Sequence, residues 1–226
     1  MTGRVSERVV AIDGPSGSGK STIGRGVAEA LGLDTLDTGA MYRAVTAAVL
    51  RAGVQPEDAE GAAAIARAVE LGVTDGVTTL DGEDVSAEIR SPAVTAAVSA
   101  VAAHPAVRTV LVARQRAWVE AHDGGVVEGR DIGSVVFPDA PVRIYLTASE
   151  AERARRRAID EAAAARDRTL EDVRTTMAAR DAADAGRAAS PLVTAPGALV
   201  VDTTGRAPAD IVAEIVRAFR AAEGAT

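Results

Sequence analysis

Residues 8–21 read RVVAID-GPSGSGKS. The apolar run Arg8 to Asp13 predicts a short buried strand, which a glycine-rich loop follows at once. Residues 22–31 then place apolar side chains at helical spacing, with Gly32 beyond the end of the predicted helix. A strand, a glycine loop and a helix in this order are typical of the opening of a parallel α/β sheet.

The loop fits the phosphate-binding pattern G-x-x-x-x-G-K-[ST]. Its glycines let successive backbone N–H groups converge on a phosphate, and the helix that follows adds its positive end. We expect Lys20 to reach the β- and γ-phosphates and the Ser21 hydroxyl to bind Mg²⁺. A loop that only turns the chain is the alternative, but Lys20 is the single lysine of the sequence. The predicted ATP-binding residues here are Gly14, Pro15, Ser16, Gly17, Ser18, Gly19, Lys20, Ser21 and Thr22.

Glu128 is a second candidate for the metal, because it ends the apolar run Gly125 to Val127. A neighbouring strand would present this carboxylate beside the phosphate loop, where it would hold Mg²⁺ or one of its waters. An ordinary acidic residue at a strand end is the other interpretation. The sequence leaves both open.

Three further apolar runs predict buried strands, and each precedes polar residues and a helical pattern. They are Gly125 to Val127, Pro141 to Leu146 and Ala198 to Val201, and Met41 to Arg51 adds a second early helix. The alternation predicts an α/β fold of the P-loop NTPase type, with helices on both faces of a parallel sheet.

The middle of the chain has a different pattern. Between Val69 and Ser86 two Asp-Gly pairs separate three short β-prone runs, which predicts a three-stranded antiparallel meander. Predicted helices follow at 92–102 and 105–121. We therefore predict a core domain of residues 1–52 and 122–226, with a lid at about 150–170, and a monophosphate-binding insertion of residues 53–121.

Composition excludes several classes of function. The formal net charge of −7 argues against a broad surface for nucleic acid, and no apolar run of membrane-spanning length occurs. The N-terminus lacks the apolar stretch of a signal peptide, and cysteine is absent, so we expect a cytoplasmic protein. A GTP switch normally reads guanine with an Asn-Lys-x-Asp element, but the chain has no asparagine.

Four further motifs carry a family resemblance. They are LDTGAMYR (36–43), EDVS (83–86), GRDIG followed by VVFPD (129–139), and RD (180–181) continuing to Arg187 and Pro191-Leu192. In this order, and nearly end to end, the chain resembles the bacterial cytidylate kinases, a nucleoside monophosphate kinase family. The resemblance implies transfer of a phosphoryl group from MgATP to CMP or dCMP. Thr38 stands where serine is frequent in the family, and Glu128 where aspartate is frequent.

The resemblance also implies roles for individual residues. Arg43, Arg130 and Arg187 would grip the phosphate of the acceptor. The cytosine edge would be read by Ser99, Arg108 and Asp131, and the sugar hydroxyls would be held by Arg180 and Asp184. Thr38 would complete the CMP site, and the lid would close over ATP with Arg153, Arg155, Arg156 and Arg157. The catalytic set would be Lys20, Arg130, Arg187 and Asp131, with Asp131 reading the base.

Several alternatives stay open from the residues themselves. Arg180 and Asp184 are four apart, which also suits a solvated ion pair on a helix surface. The cluster Arg153 to Arg157 also suits an ordinary charged helix face. The acceptor could be UMP or a hydroxyl metabolite, and an ATP-binding switch module is the other class of protein. We expect a monomer that binds ATP and CMP or dCMP, with Mg²⁺ as cofactor.

Overall fold

The computed structural model describes residues 8–74, 76–163, 169–187 and 190–224, without the side chains of 160–163. The strands are β1 (Val9–Asp13), β2 (Thr35–Asp37), β3 (Leu71–Thr74), β4 (Val77–Leu80), β5 (Glu83–Asp84), β6 (Gly125–Gly129), β7 (Val142–Thr147) and β8 (Leu199–Asp202). The α-helices are α1 (Lys20–Leu31), α2 (Thr38–Arg51), α3 (Ala59–Ala68), α4 (Pro92–Ala103), α5 (Pro105–Ala121), α6 (Glu150–Ala163), α7 (Leu170–Ala185) and α8 (Pro208–Glu223). A 3₁₀ turn (Glu88–Arg90) and a π-helical turn (Ile132–Val136) are also formed.

The chain divides into two compact units, one of residues 1–34 with 124–226 and the other of residues 35–123. In the first unit β6, β1, β7 and β8 lie side by side in that order, and the pairs are parallel. β2 begins one residue after the boundary of this unit and forms the edge of the same five-stranded sheet. The predicted parallel α/β fold is confirmed.

The core of the first unit lies between the sheet and two helices. All five residues of β1 are buried, as expected for a central strand covered on both sides. α1 and α8 contact each other, and their apolar faces pack on β1 and β7. Ile12, Val27, Ile144 and Ile215 are at most 1% exposed. This packing fixes the carboxyl end of β1, from which the phosphate loop leaves.

The second unit contains the predicted meander, with β3, β4 and β5 antiparallel in chain order. The turn between β4 and β5 is the Asp81-Gly82 pair, and both residues have positive φ, 51° and 82°. Two successive positive φ angles are what a tight hairpin turn requires, which is why the Asp-Gly pair predicts it. Arg51 at the end of α2 donates to Glu83 on β5 at 2.8 Å, which ties the meander to that helix.

The early helices start sooner than their apolar spacing predicts. α2 begins at Thr38 instead of Met41, because the Asp37 carboxylate accepts from the Ala40 amide at 3.1 Å and so caps the helix. The predicted insertion, 53–121, falls inside the second unit, which also includes 35–52. Part of the predicted lid, 164–168, lies outside the described residues. Across the described ranges no single helix has the length and hydropathy of a membrane span, although α4 and α5 meet that test together as a pair bent by 95°.

Candidate active site

The phosphate loop leaves β1 in a conformation that only glycine tolerates at two points. At Gly14 φ is 151°, and a Cβ atom would lie 2.2 Å from the Leu146 carbonyl oxygen. At Gly17 φ is 75°, and a Cβ atom would lie 2.7 Å from the Arg153 carbonyl oxygen. Because these two positions have no side chain, the loop can lie directly against β7 and α6.

Lys20 folds back over this loop. Its Nζ atom donates to the carbonyl oxygens of Gly14 at 2.8 Å and Pro15 at 2.9 Å. α1 starts directly after Gly19, and among the described residues no side chain caps it. The loop thus presents an ammonium group and the positive end of a 12-residue helix to the same place, which suits a polyphosphate.

The two residues predicted to hold Mg²⁺ are in contact. The Ser21 hydroxyl donates to Glu128 Oε2 at 2.9 Å, because β6 lies next to β1 and Glu128 stands opposite Ile12. A hydroxyl and a carboxylate are hard oxygen donors of the kind that Mg²⁺ uses alongside phosphates and water, so the residues present fit the ion. Within the part of the chain that the structure describes, no group of three or more His, Cys, Asp or Glu forms a metal cluster.

Asp184 on α7 is the centre of a buried arginine cluster. It accepts from Arg130 Nε at 2.7 Å with one oxygen and from Arg187 with the other. The side chains of Asp184, Arg130 and Arg187 are 4%, 17% and 9% exposed, so this is not a solvated surface pair. Arg130 also donates to the Gly14 carbonyl at 2.6 Å. Arg130, one of the three arginines predicted to bind the acceptor phosphate, therefore contacts the phosphate loop itself.

Arg180 belongs to the same cluster but not through the pairing that its spacing suggests. Asp184 accepts from Arg130 and Arg187, whereas Nε of Arg180 is buried without a hydrogen-bond partner among the described residues. Burial lowers the pKa of Arg180, and the positive charges of Arg130 and Arg157 lower it further. Several cations held close together around one carboxylate favour the binding of an anion or of polar ligand groups.

The arginines of α6 divide into two groups. Arg153 pairs with Asp181 and donates to the Ser16 carbonyl at 3.0 Å, and Asp181 accepts from the Ser16 amide at 3.2 Å. Arg156 donates to Thr203 through two nitrogens, both at 2.8 Å. Arg153 and Arg156 therefore lie at the phosphate loop, whereas Arg157 lies near enough to Arg180 to affect its pKa. The interpretation of these arginines as an ordinary charged face fails for Arg153 and Arg156.

Glu152 balances part of this charge. It accepts from Arg155 at 2.8 Å and from Arg156 at 2.9 Å, and the hydrogen bond from Arg155 is the main cause that lowers the pKa of Glu152 to about 2. The carboxylate stays ionised throughout the neutral range. It fixes Arg156 in the direction of Thr203.

A pocket of about 220 Å³ opens beside the start of α1. It is lined by Ser18, Gly19, Thr22, Ile23, Glu152, Arg155, Arg156, Thr203, Arg206, Pro208 and Ile211. Sequence reasoning did not find Thr203, Arg206 and Pro208. The signal was present, because these residues follow β8, and ligands of open α/β sheets bind beyond the carboxyl ends of the strands. The pocket is placed to take the nucleoside part of a nucleotide whose phosphates lie on the loop.

Asp13, the last residue of β1, is another residue that sequence reasoning missed. It is 2% exposed, and it accepts from the amides of Ile132 and Gly133, both at 2.8 Å. Burial raises the pKa of Asp13 to about 6, and the negative charge of Asp131 adds to the rise. The two amide hydrogen bonds and Lys20 act in the opposite direction.

The second unit carries the other predicted acceptor residues. Arg43 donates to the Ile89 carbonyl and to the Thr95 hydroxyl, both at 3.0 Å. Arg108 is 5% exposed and lies over the Tyr42 ring, 5.3 Å from its centre, and it donates to the Ala102 carbonyl at 3.3 Å. The guanidinium groups are thus oriented by neighbours on other elements.

Two smaller residues of the predicted acceptor site in this unit are also buried. Thr38 is 3% exposed and begins α2. The Ser99 hydroxyl, on α4, is buried with no hydrogen-bond partner among the described residues. A buried hydroxyl without a partner is costly, so it is suited to a ligand that supplies one. Asp131, in the first unit, is 4% exposed.

The comparisons with known proteins agree on one family. A family model for cytidylate kinase matches residues 10–221. The cytidylate kinase of Mycolicibacterium paratuberculosis is 53% identical over 211 residues, which cover 92% of both chains. That of Mycobacterium leprae is 49% identical over 225 residues, 98% of this chain and 99% of the relative. A bifunctional pantoate ligase/cytidylate kinase of Parasynechococcus marenigrum is 48% identical over 219 residues, 94% of this chain and 44% of that longer protein.

Proposed function

The chain belongs to the cytidylate kinase family, and we propose that it transfers the γ-phosphoryl group of MgATP to CMP or dCMP. The products are ADP and CDP or dCDP. One observation carries the proposal beyond the family. Arg130 joins the carbonyl of Gly14, in the loop for ATP, to Asp184, in a buried arginine cluster suited to a second phosphate.

On the donor side, the residues Gly14 to Thr22 bind the phosphates of ATP. Lys20 exchanges its contacts with the loop carbonyls for the β- and γ-phosphates, because an ammonium group gains more from an anion than from a neutral carbonyl. Arg153, Arg156 and Arg157 of the lid add positive charge on the same side. The nucleoside occupies the pocket at Thr203 and Arg206.

Ser21 and Glu128 would hold Mg²⁺, directly or through water. Bound there with ATP, the ion would supply positive charge beside the phosphates. Ser21 lies in α1 and Glu128 in β6, and these two elements flank the loop. Their positions keep the Ser21 hydroxyl and the Glu128 carboxylate in contact.

On the acceptor side, Arg130 and Arg187 grip the phosphate of CMP, and Arg43 adds a third cation. The pairing with Asp184 fixes both arginines of the first unit before the acceptor arrives, so little side-chain entropy is lost on binding. Arg180 and Asp184 hold the sugar hydroxyls. The cytosine is read by Ser99, Arg108 and Asp131, with Thr38 beside them.

The chemical step needs positioning and charge compensation more than covalent catalysis. Lys20, Arg130 and Arg187 stabilise the charge on the γ-phosphoryl group as it moves between the two phosphates. Asp131 reads the base and does not take a proton. Closure of the lid, about 150–170, excludes water and so suppresses hydrolysis of ATP.

Direct product identification tests this function. Purified protein is incubated with MgATP and CMP, and the nucleotides are separated by chromatography. Formation of CDP and ADP in equal amounts, dependent on both substrates, is the expected result. ADP without CDP would contradict the proposal and would indicate an ATP-binding switch. The cytoplasmic location and the monomeric state stay predictions, testable by cell fractionation and by light scattering on the purified protein.

A further inference from the structure

The carboxylate of Asp13 has no role in the mechanism above. It lies between the phosphate loop and the segment that carries Arg130 and Asp131. It ends β1, and the next residue, Gly14, begins the phosphate loop. Opposite it in the parallel register stands Gly129, the last residue of β6. The segment that carries Arg130 and Asp131 starts there. Asp13 is therefore the point where the donor loop and the acceptor segment leave neighbouring strands.

Both oxygens of this carboxylate bind the acceptor segment. Oδ1 accepts from the Ile132 amide and Oδ2 from the Gly133 amide, each at 2.8 Å. These are the first two residues of the π-helical turn, and they come directly after Arg130 and Asp131. The two residues are thus held on one side by β6 and on the other by Asp13.

A second contact runs in the reverse direction. Arg130 donates to the carbonyl oxygen of Gly14, so the acceptor segment also binds the residue that follows Asp13. The two contacts form a closed clamp between the end of β1 and the end of β6. A displacement of the turn at Ile132 would move Arg130 relative to the loop, because only one residue, Asp131, separates them.

Burial makes the clamp sensitive to chemistry at this one side chain. Asp13 is 2% exposed, so no water replaces a lost hydrogen bond easily. Lys20 and Asp131 act on its carboxylate electrostatically, and its charge in turn raises the pKa of Tyr145. An ionised carboxylate accepts from both amides at once. An amide side chain of the same shape accepts from one and points its own N–H group at the other.

We propose that Asp13 is a positioning residue for the acceptor nucleotide: its carboxylate holds the amides of Ile132 and Gly133 and so fixes Arg130 and Asp131 where they contact CMP. The inference rests on the proposed function, since it assigns the acceptor to those two residues. It concerns a residue that need not touch either nucleotide.

The test is a comparison of acceptor and donor constants in Asp13→Asn. Loss of one charge-assisted hydrogen bond is expected to raise KM for CMP and the Kd of CMP measured without ATP by roughly 10-fold to 100-fold. The KM for ATP should change by less than about threefold, since the donor loop keeps its glycine geometry. Asp13→Ser, which is smaller and keeps one acceptor, serves as a second variant in case the amide disturbs folding.

Ile215→Val is the matched control, because Ile215 is fully buried in the core of the same unit and far along the chain from both substrates' loops. It should lose stability without any change in KM for CMP. If the Asp13 variants bind CMP as the wild type does, or lose ATP and CMP affinity equally, the positioning role is wrong. Failure of the proposed function is a different result, in which the wild-type protein forms no CDP.

Discussion

Asp13 gives the sharpest prediction on stability, because its pKa differs strongly between the folded and the unfolded chain. Burial raises that pKa from 3.8 to about 6 in the folded protein. An acid with a raised pKa favours folding when it is protonated. Its contribution is fully present below pH 3.8 and is lost as the pH rises through 6. The whole shift corresponds to about 3 kcal/mol.

The perturbation is Asp13→Asn, which keeps the shape and removes the titration. Acidification from pH 7.5 to pH 5 should stabilise the wild type by about 1.4 kcal/mol more than it stabilises the variant, since only the wild-type side chain takes up a proton on folding in that range. Carboxylates elsewhere in the chain titrate in both proteins, so their effects cancel in the difference. This cancellation is the reason for comparing two proteins at two pH values.

The assay is urea denaturation followed by circular dichroism, with the free energy of unfolding extrapolated to water at both pH values. The expected result is that the wild-type advantage over the variant is larger at pH 5 than at pH 7.5. A change smaller than about 0.5 kcal/mol, which is near the error of such extrapolations, would refute the reasoning. A change of opposite sign would mean that the amide hydrogen bonds outweigh burial.

Three further predictions concern the substrates and the metal. Lys20→Ala should lower kcat about 100-fold or more in a coupled assay of ADP formation, because the variant lacks the positive charge that stabilises the moving phosphoryl group. Near-normal turnover would contradict this role of Lys20. Arg187→Ala should lower kcat/KM for CMP about 100-fold, because the variant removes one cation of the acceptor site and leaves Asp184 partly unpaired. The Kd of ATP should change little, and equal losses for both nucleotides would count against an acceptor role. Glu128→Gln should raise the Mg²⁺ concentration for half-maximal activity about tenfold, and an unchanged requirement would remove Glu128 from the metal site.

The sequence predicts the features that depend on neighbouring residues. The glycine loop, the buried strands and the Asp-Gly turn each have a local signal, and the positive φ angles at Gly17, Asp81 and Gly82 show the physical reason. The family resemblance then supplies roles for arginines whose directions no spacing rule gives. Arg187 is one example, because it follows the end of α7 at Gly186.

The features that sequence reasoning missed depend on residues far apart in the chain. Arg130 meets Asp184 across 54 residues and Gly14 across 116, and no spacing rule indicates either contact. The pocket beside α1 joins the start of that helix to residues after β8, at Thr203 and beyond. Contacts of this kind are set by the order of strands in the sheet, and a single sequence without aligned relatives does not reveal them.

A comparison of acceptor nucleotides tests whether the protein is specific for CMP and dCMP. The wild-type protein is given MgATP with CMP, dCMP, UMP or AMP in turn, and kcat/KM is compared. We expect kcat/KM for CMP and dCMP to exceed that for UMP by about tenfold or more, because a mismatched base edge would leave the buried Ser99 hydroxyl, which has no hydrogen-bond partner among the described residues, unpaired. Equal turnover of CMP and UMP, or no turnover of CMP, would contradict it.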